Sequence, residues 1–532
     1  MDPRIINDDV RQQIWPLYRL VDGSLFENDA IATYYLDCMP SGFKLIYAAM
    51  SPIIDPISLS RVLPYLLLLL VAIGAVGAAY RAGGAAAGVV SAAFVLGSAV
   101  YLDRMTGGLP RSFGYPGIAM LMFFLARGRP LGFASVAVAS VAVYPSVAVI
   151  GGLVFALWML GPIRFLERPA WSLVRRIALV GSTALLMALI HAPTASSCSA
   201  HGPPLSASDV ATFPELGPGG RYLEEDRPPF GSPAKWAAAG ARASLQIDAE
   251  WVDPPDAFSG TLGALLLILV GAGLGGSLIA ARSEGAVCRL WLLPVAAILA
   301  YIVSELMYPL LYIPTRYLLL VLPPFTPIAM FIGLDWILGR FERLRQNRDR
   351  TRLTLAALLI VAGLLSPAAP VSTAGWRVRI PDSDLALHAF IAGLPRQSVI
   401  AGWPGPAEPI ESVPYLTLRP VLISWETHQV FHRAYALEMR RRMEALIDVF
   451  TEGDSASIGR LHEDFGVTHL VVRKNSGRPR RLTYFRPYDG MLGRVKAVSD
   501  SRLRGDLEQR PMVYEDSWWR IYDVTPRPSD AE

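Results

Sequence analysis

The sequence has little charge. Of its 532 residues only 18% are charged, whereas 52% are hydrophobic. A soluble protein of this length would need far more charged residues to cover its surface, so the composition excludes a soluble globular protein and indicates a polytopic membrane protein. The net charge of +4 says little about orientation or function, because in a membrane protein the placement of Lys and Arg among the loops matters more than their sum.

Cysteine is also scarce. The three cysteines, Cys38, Cys198 and Cys288, show neither metal-ligand spacing nor a Cys-x-x-Cys pair, so zinc and dithiol redox sites have no support. Cys38 and Cys198 could form a disulfide if both face an oxidising compartment, but the sequence does not show their proximity. No signal peptide precedes the first polar stretch, and membrane insertion is therefore expected to depend on internal segments.

Long apolar runs are what the sequence has in abundance. A bilayer span needs roughly 17–25 such residues. The run 131–160 is too long for one helix and contains Tyr144-Pro145; because proline removes a backbone donor and disfavours a helical residue before it, two short helices meeting at a turn are predicted. With the short stretches 113–126 and 176–192, the sequence predicts a polytopic α-helical domain of about ten spans. The six longer runs are 61–80, 84–102, 260–281, 288–310, 316–338 and 353–369.

Arginines are concentrated in alternate loops between these runs. The positive-inside rule assigns such loops to the cytoplasm. We therefore predict that residues 1–60, the loops 101–115 and 193–259 and the tail 371–532 lie on the extracytoplasmic face. The arginines that decide this orientation are Arg127, Arg129, Arg164, Arg168, Arg175, Arg176, Arg282, Arg289, Arg340, Arg343, Arg345, Arg348, Arg350 and Arg352.

Three regions follow from this pattern. Residues 1–60 form an extracytoplasmic first loop with an acidic motif, residues 61–370 form the multi-span domain, and residues 371–532 form a separate domain. In the last region, strand-like runs such as VTHLVVRK alternate with amphipathic stretches such as ETHQVFHRAYALEMRRRMEALIDVF. This alternation is typical of a small α/β domain with a partly parallel sheet.

The unusual polar residues fall on the predicted extracytoplasmic side. Asp8 and Asp9 lie in the first loop, Arg111 lies in the second, and Arg316 stands at the entrance of a late span. A carboxylate can deprotonate an acceptor hydroxyl. A guanidinium can hold a phosphate group with two hydrogen bonds and stabilise it as a leaving group.

The strings IINDDVRQ, LFENDAIA, GGLPRSFGYP and IPTRYLLLVLP, with the layout of spans and tail, resemble the GT-C superfamily of polyprenol-phosphate-sugar-dependent glycosyltransferases. This superfamily includes the aminoarabinose transferases of lipid A, the protein mannosyltransferases and the oligosaccharyltransferases. The resemblance implies a bacterial inner-membrane enzyme with its C-terminal domain in the periplasm. It would move a sugar, with inversion, from a polyprenyl-phosphate carrier to a glycan, lipid or protein acceptor.

The resemblance also implies residue roles. Asp8 or Asp9 would be the base, with Mg²⁺ or Mn²⁺ as a metal that the two acids could hold, while Arg316 and Arg111 would bind the donor phosphate. Arg11, Asp29 and Glu305 are expected to surround these groups. The partners are then the bilayer and the lipid-linked sugar, and no nucleic acid is expected.

Simpler interpretations stay open for the same residues. Asp8 could cap the helical pattern that follows it, and Asp29 could cap the next one. Arg316 could be an interfacial anchor whose charged end reaches the membrane surface. Glu305, inside a span, should face the protein interior or a cavity, in a structural role or along a donor groove.

Family members normally carry a transmembrane helix before the acidic loop, and none precedes Asp8 here. Either the start of the reading frame is placed too late or the helix has been lost. Two alternatives to the enzyme are therefore kept. One is a GT-C-derived scaffold without catalysis, and the other is a transporter or envelope-assembly protein. Transport would be favoured by charges inside broken helices, of which the spans offer few, mainly Glu305 and Asp335.

Overall fold

The computed structural model describes residues 4–162, 166–221, 261–308, 311, 313–364, 375, 377–474, 484–492, 495, 507 and 509–526. We call residues 4–55 the first loop, residues 56–364 the bundle and residues 375–526 the tail. The first loop contains helices Val10–Gln13, Ala30–Cys38 and Ser41–Met50. The bundle contains Pro56–Gly97, Ala99–Met105, Gly114–Ala126, Pro130–Val143, Pro145–Leu160, Leu173–Ser199, Thr261–Ala280, Gly285–Leu290, Leu292–Leu306, Arg316–Leu338, Glu342–Gln346 and Arg348–Leu364. The tail contains Asp382–Gly393, Val413–Thr417, Arg433–Thr451 and Ser455–Phe465.

Four helices in the described ranges are long and apolar enough to cross a membrane by length and composition. They are Pro56–Gly97, Leu173–Ser199, Gly285–Leu306 and Arg316–Leu338. The 42-residue helix Pro56–Gly97 is longer than one span needs, and it is broken at Gly84, where φ is 77° and ψ is −167°. Only glycine adopts this conformation readily. The total of about ten spans stays a prediction.

The run 131–160 forms two helices that meet at Tyr144-Pro145, as the proline predicts. The two helices are antiparallel. Phe133 stacks on Phe155 with ring centroids 5.6 Å apart, and four residues further along the first helix, Ala137 faces Gly151. A pair of helices that reverses direction in this way returns the chain to the end from which it entered.

Two helices of the bundle approach each other closely through glycine. Gly333 of helix Arg316–Leu338 lies against the backbone of Gly273 and near Ser277 of helix Thr261–Ala280, and a Cβ atom at Gly276 would in turn collide with Gly333. Small residues are common at helix contacts in membranes, because dispersion forces between backbones replace the hydrophobic effect there.

The contacts separate the arginine-rich loops from the first loop. Arg289 donates to the carbonyl oxygens of Leu125 and Ala126 at 2.8 and 2.9 Å, at the end of helix Gly114–Ala126. The other end of that helix follows the segment that carries Arg111, which contacts the first loop. The bundle therefore has two chemically different ends, as the loop charges indicate. Which end faces the cytoplasm stays a prediction.

The tail contains a four-stranded sheet with the order Val399–Ala401, Val467–Arg473, Trp519–Asp523, Met512–Glu515. The first two strands are parallel and the other pairs are antiparallel. Strand Ile5–Ile6 of the first loop pairs with Val378–Arg379 of the tail, and one continuous apolar core includes side chains of both regions. The first loop and the tail thus pack together as the cap on one end of the bundle; the three-region division stays a prediction.

The stretch ETHQVFHRAYALEMRRRMEALIDVF is helical only from Arg433 to Thr451, so the helix predicted to begin near residue 426 is wrong at its start. Residues 424–429 form a turn, in which the Ser424 and Thr427 hydroxyl groups lie 2.9 Å apart and each accepts a backbone N–H of the other residue. Such local bonds compete with helix formation.

Cys38 and Cys198 form a disulfide, which closes a loop of 160 residues between the first loop and the end of helix Leu173–Ser199. Nearby, the imidazole of His201 contacts the Asp37 carboxylate at 2.9 Å. Disulfides persist in oxidising compartments, which agrees with an extracytoplasmic first loop.

The disulfide predicts a simple thiol count. Protein that is denatured without reductant should react with one maleimide-polyethylene glycol tag, on Cys288, whereas reduced protein should react with three. The tags are counted by gel mobility. The Cys288→Ser variant is the control and should carry no tag before reduction and two after it. Three tags on the unreduced wild type would contradict the disulfide.

Candidate functional site

An ion pair between Asp9 and Arg111 joins the first loop to the bundle. The Arg111 Nη1 contacts Oδ2 of Asp9, and its Nη2 donates to Oδ1 of Asn7 at 3.3 Å. Oδ1 of Asp9 accepts a hydrogen bond from Nε2 of Gln12 at 2.9 Å. The side chains of Asp9 and Arg111 are 25% and 32% exposed, so the pair lies at the edge of the buried region and a ligand could reach it.

The local sequence explains how the two acids are presented. The helix begins at Val10, and Asp9 at its N-cap makes no capping hydrogen bond with its side chain. Asp8 is not a cap either, since its Oδ1 accepts the N–H of Asp9 at 3.0 Å. The buried Asn7 amide donates to the Gly375 carbonyl at 2.7 Å and so fixes the turn to the tail. Both carboxylates are thereby held at the start of the helix without capping it.

The loop that carries Arg111 follows two glycines with positive φ, Gly107 and Gly108. A Cβ atom at Gly107 would collide with Val10 of the first loop. The hydroxyl of Tyr47 donates to the Gly108 carbonyl at 2.9 Å. These contacts bring the loop close enough to the first loop for Arg111 to reach Asp9.

Two buried carboxylates of the tail, Glu411 and Glu426, accompany the Asp9–Arg111 ion pair. Glu411 accepts the backbone N–H groups of Trp425 and Glu426. Burial raises the pKa of Glu411 to about 7, although the charge of the nearby Arg11 favours the ionised form. Burial also raises the pKa of Glu426, which is paired with Arg221 at 3.2 Å.

Glu426 is electrostatically coupled to the first loop. The negative charges of Asp9 and Asp8 raise its pKa, whereas the positive charges of Arg221 and Arg11 lower it. Arg11, expected from the sequence to surround the site, is buried between these groups. The tail therefore supplies part of the electrostatic environment of the two acids.

A group of uncharged side chains connects Asp9 to the tail. Oε1 of Gln12 accepts from the Tyr35 hydroxyl at 2.7 Å and from Nε2 of Gln429 at 3.2 Å. Sequence reasoning missed these three residues as well as Glu411, Glu426 and Arg221. The signal that could have pointed to Gln12 is its position directly after Arg11 on a short helix, whereas Gln429 lies 417 residues away and had no local signal.

Arg316 begins helix Arg316–Leu338, and its Nε donates to the Ile313 carbonyl at 3.2 Å. One helical turn further on, Leu320 packs against Gly114, three residues after Arg111. Arg316 and Arg111 therefore belong to the same end of the bundle. Convergence of Arg316 with the two acids stays a prediction.

Two other predicted residues have other surroundings. Asp29 caps helix Ala30–Cys38, with its Oδ1 accepting the N–H of Ala32 at 2.6 Å. Burial raises its pKa, and the cations that oppose this effect are Arg442 and Arg19, not Arg111. Glu305 is half-buried near the end of helix Leu292–Leu306 and accepts a hydrogen bond from Tyr301 at 2.6 Å.

Within the described ranges, one group of three residues has the spacing to hold a metal ion: Cys38, Cys198 and His432. The two cysteines are joined by the disulfide and do not offer thiolates. At the predicted metal site, both oxygens of Asp9 already contact donors, one of them the cationic Arg111. This arrangement does not favour a divalent ion between Asp8 and Asp9, because the ion would have to displace the guanidinium.

Comparison with solved structures identifies the fold. ArnT from Cupriavidus metallidurans in the apo state matches with a TM-score of 0.52 at 13% identity, over 98% of this chain and 93% of that chain. The chain has the GT-C fold. The resemblance read from the sequence is thereby confirmed at the level of the fold.

The oligosaccharyltransferase of Archaeoglobus fulgidus also matches, in its apo form with a TM-score of 0.49 at 12% identity. That match covers 88% of this chain but 66% of the archaeal one, so this chain spans just under two thirds of that protein's length. Its complex with Zn and sulfate gives a TM-score of 0.48 at 11% identity, over 88% and 64% of the two chains. No protein-family model and no curated protein matches the sequence.

The buried Glu411 predicts a pH dependence of stability. Its pKa is raised from 4.5 to about 7 in the folded protein, so folding favours the protonated form. The stability of the wild type should therefore fall as the pH rises from 4.5 through 7, by on the order of 3 kcal/mol. The Glu411→Gln variant keeps one of the two acceptor oxygens, cannot ionise and should not show this part of the decline. Thermal midpoints in detergent at several pH values test this, and a constant difference between the two proteins would contradict it.

Proposed function

We propose that the protein is a glycosyltransferase that moves a sugar from a polyprenyl-phosphate carrier to an acceptor outside the cytoplasm. The observation that carries this proposal is the Asp9–Arg111 ion pair beside Asp8, at one end of an apolar bundle with the GT-C fold. It brings a candidate base and a candidate phosphate ligand together at the end where a lipid-linked substrate would present its sugar.

The reaction would be a single displacement. An acid of the pair Asp8–Asp9 accepts the proton of the acceptor hydroxyl, and the hydroxyl oxygen attacks the anomeric carbon of the donor sugar. The bond between that carbon and the phosphate oxygen breaks, and the polyprenyl phosphate leaves with the electron pair. Attack opposite to the leaving group inverts the anomeric configuration, and the proton then passes from the carboxyl group to water.

The arginines would act on the leaving group. Arg111 is held by Asp9 and Asn7, and Arg316 begins a helix whose Leu320 packs against Gly114, three residues after Arg111. Guanidinium groups in fixed positions stabilise the charge that develops on a departing phosphate. The proposed reaction uses no metal, because Arg111 contacts the Asp9 oxygen that an ion between the two acids would need.

The location proposed is the bacterial inner membrane, with the first loop and the tail on the periplasmic face. The Cys38–Cys198 disulfide supports this orientation, as does the separation of the arginine-rich loops from the first loop. A non-catalytic GT-C scaffold is the alternative. It would retain the packing between first loop and tail but transfer no sugar.

Removal of both acids is the direct test. The double variant Asp8→Asn, Asp9→Asn should transfer sugar at least about 100-fold more slowly, because a general base usually contributes a factor of that size. The measurement is transfer of labelled sugar from synthetic polyprenyl-phosphate monosaccharides to membrane extract. Asp382→Asn is the control, since that exposed acid pairs with Arg4 and should change little. An unchanged rate in the double variant would remove the two acids from the mechanism.

The role of Arg316 is tested by a conservative change. Arg316→Lys keeps the charge but loses the planar pair of donors, so it should weaken the contact with the donor phosphate and lower kcat/KM by about 10-fold or more. Arg343→Lys, on the exposed short helix Glu342–Gln346, is the matched control. If both variants behave as the wild type with every donor, Arg316 is an interfacial anchor instead.

A further inference from the structure

The side-chain amide of Gln12 lies between Asp9 and the tail, and the proposed reaction assigns it no role. We propose that Gln12 and Gln429 form a positioning pair that fixes Asp9, and through it Arg111, so that Asp8 is the acid that accepts the proton. This inference rests on the proposed transfer reaction. It divides the roles of two adjacent acids that the sequence could not separate.

The orientation of the amides follows from one backbone carbonyl. A carbonyl oxygen can only accept hydrogen bonds. The Glu426 carbonyl contacts Nε2 of Gln429, so the nitrogen of that amide must face it. The same nitrogen lies 3.2 Å from Oε1 of Gln12, which therefore is the acceptor of that pair. The hydroxyl of Tyr35 donates to the same oxygen at 2.7 Å.

With its oxygen turned to the tail, Gln12 must present its nitrogen to Asp9. The distance from this nitrogen to Oδ1 of Asp9 is 2.9 Å, and Arg111 contacts Oδ2. Both oxygens of Asp9 thus face hydrogen-bond donors, which compete with a substrate hydroxyl for the lone pairs of this carboxylate. Asp9 is a fixed anion that holds the Arg111 guanidinium in place.

Asp8 is in a different position. Among the described residues, its carboxylate accepts one hydrogen bond, from the N–H of Asp9, through Oδ1. The side chain is partly exposed, beside the ion pair. The transferred proton would therefore go from the acceptor hydroxyl to Asp8, while Asp9 and Arg111 stay paired.

The pair is also buried enough to be rigid. Gln12 and Gln429 are 5% and 8% exposed, and a buried amide that loses its partner is left unsatisfied. The tail thus reaches the catalytic acids through an interaction that water cannot replace, which gives this region a positioning role in the reaction.

Two substitutions of Gln12 test the proposal by their pH profiles. Gln12→Met removes all three side-chain hydrogen bonds of Gln12 and should lower kcat roughly 10- to 100-fold at every pH. Gln12→Glu can donate to Asp9 only while Glu at this position is protonated, so its activity should approach that of the wild type at low pH and fall as the pH rises. Gln13→Glu, on the partly exposed neighbouring residue, is the control and should follow the wild type. Equal losses at all pH values in both Gln12 variants would overturn the positioning role.

A second arm does not depend on activity. The thermal midpoint of Gln12→Glu should drop with rising pH, because two carboxylates then face each other, and adding Asp9→Asn should restore it by supplying an amide donor. Absence of this rescue would overturn the contact itself. If the rescue occurs but the wild type transfers no sugar from any polyprenyl-phosphate donor, then the proposed function fails and the catalytic division between Asp8 and Asp9 fails with it.

Discussion

The ion pair between Asp9 and Arg111 is the contact on which the arrangement of the site depends. It joins the first loop to the segment that leads into helix Gly114–Ala126, and the neighbouring Asn7 joins the same turn to Gly375 of the tail. An exposed ion pair alone contributes little to stability. Here Oδ1 of Asp9 also accepts a hydrogen bond from the amide of Gln12, a buried residue that is itself bonded to the tail. Three distant parts of the chain therefore meet at one carboxylate.

The features that the sequence predicts correctly depend on neighbouring residues. The break at Tyr144-Pro145 follows from the covalent structure of proline, and the apolar runs follow from the thickness of a bilayer. The GT-C fold could be inferred because the order of its short motifs and apolar runs along the chain is visible in the sequence. Cys38 and Cys198, in contrast, could be paired only once the fold brought them together.

The tail shows why the rest could not be predicted. The residues from Glu426 onward have a helix-like pattern, yet the chain forms a turn there. Glu411 accepts the backbone N–H groups of Trp425 and Glu426, and in a helix these groups would point along the helix axis instead. That carboxylate comes from a different part of the tail. The contact of Gln429 with Gln12 spans 417 residues, and no periodicity or spacing encodes such a distance. Tertiary contacts with buried polar groups decided both cases.

The charges around the site suggest how the region accommodates an anionic substrate. Four carboxylates meet three guanidinium groups there, and burial raises the pKa of Glu411 to about 7 and that of Glu426 above its usual range. The guanidinium groups do not outnumber the carboxylates, so an entering phosphate group would gain from a further cation. Under the proposed function, Arg316, at the same end of the bundle, would supply that charge together with its planar pair of donors. The groups in this count are Asp8, Asp9, Glu411 and Glu426 with Arg11, Arg111 and Arg221.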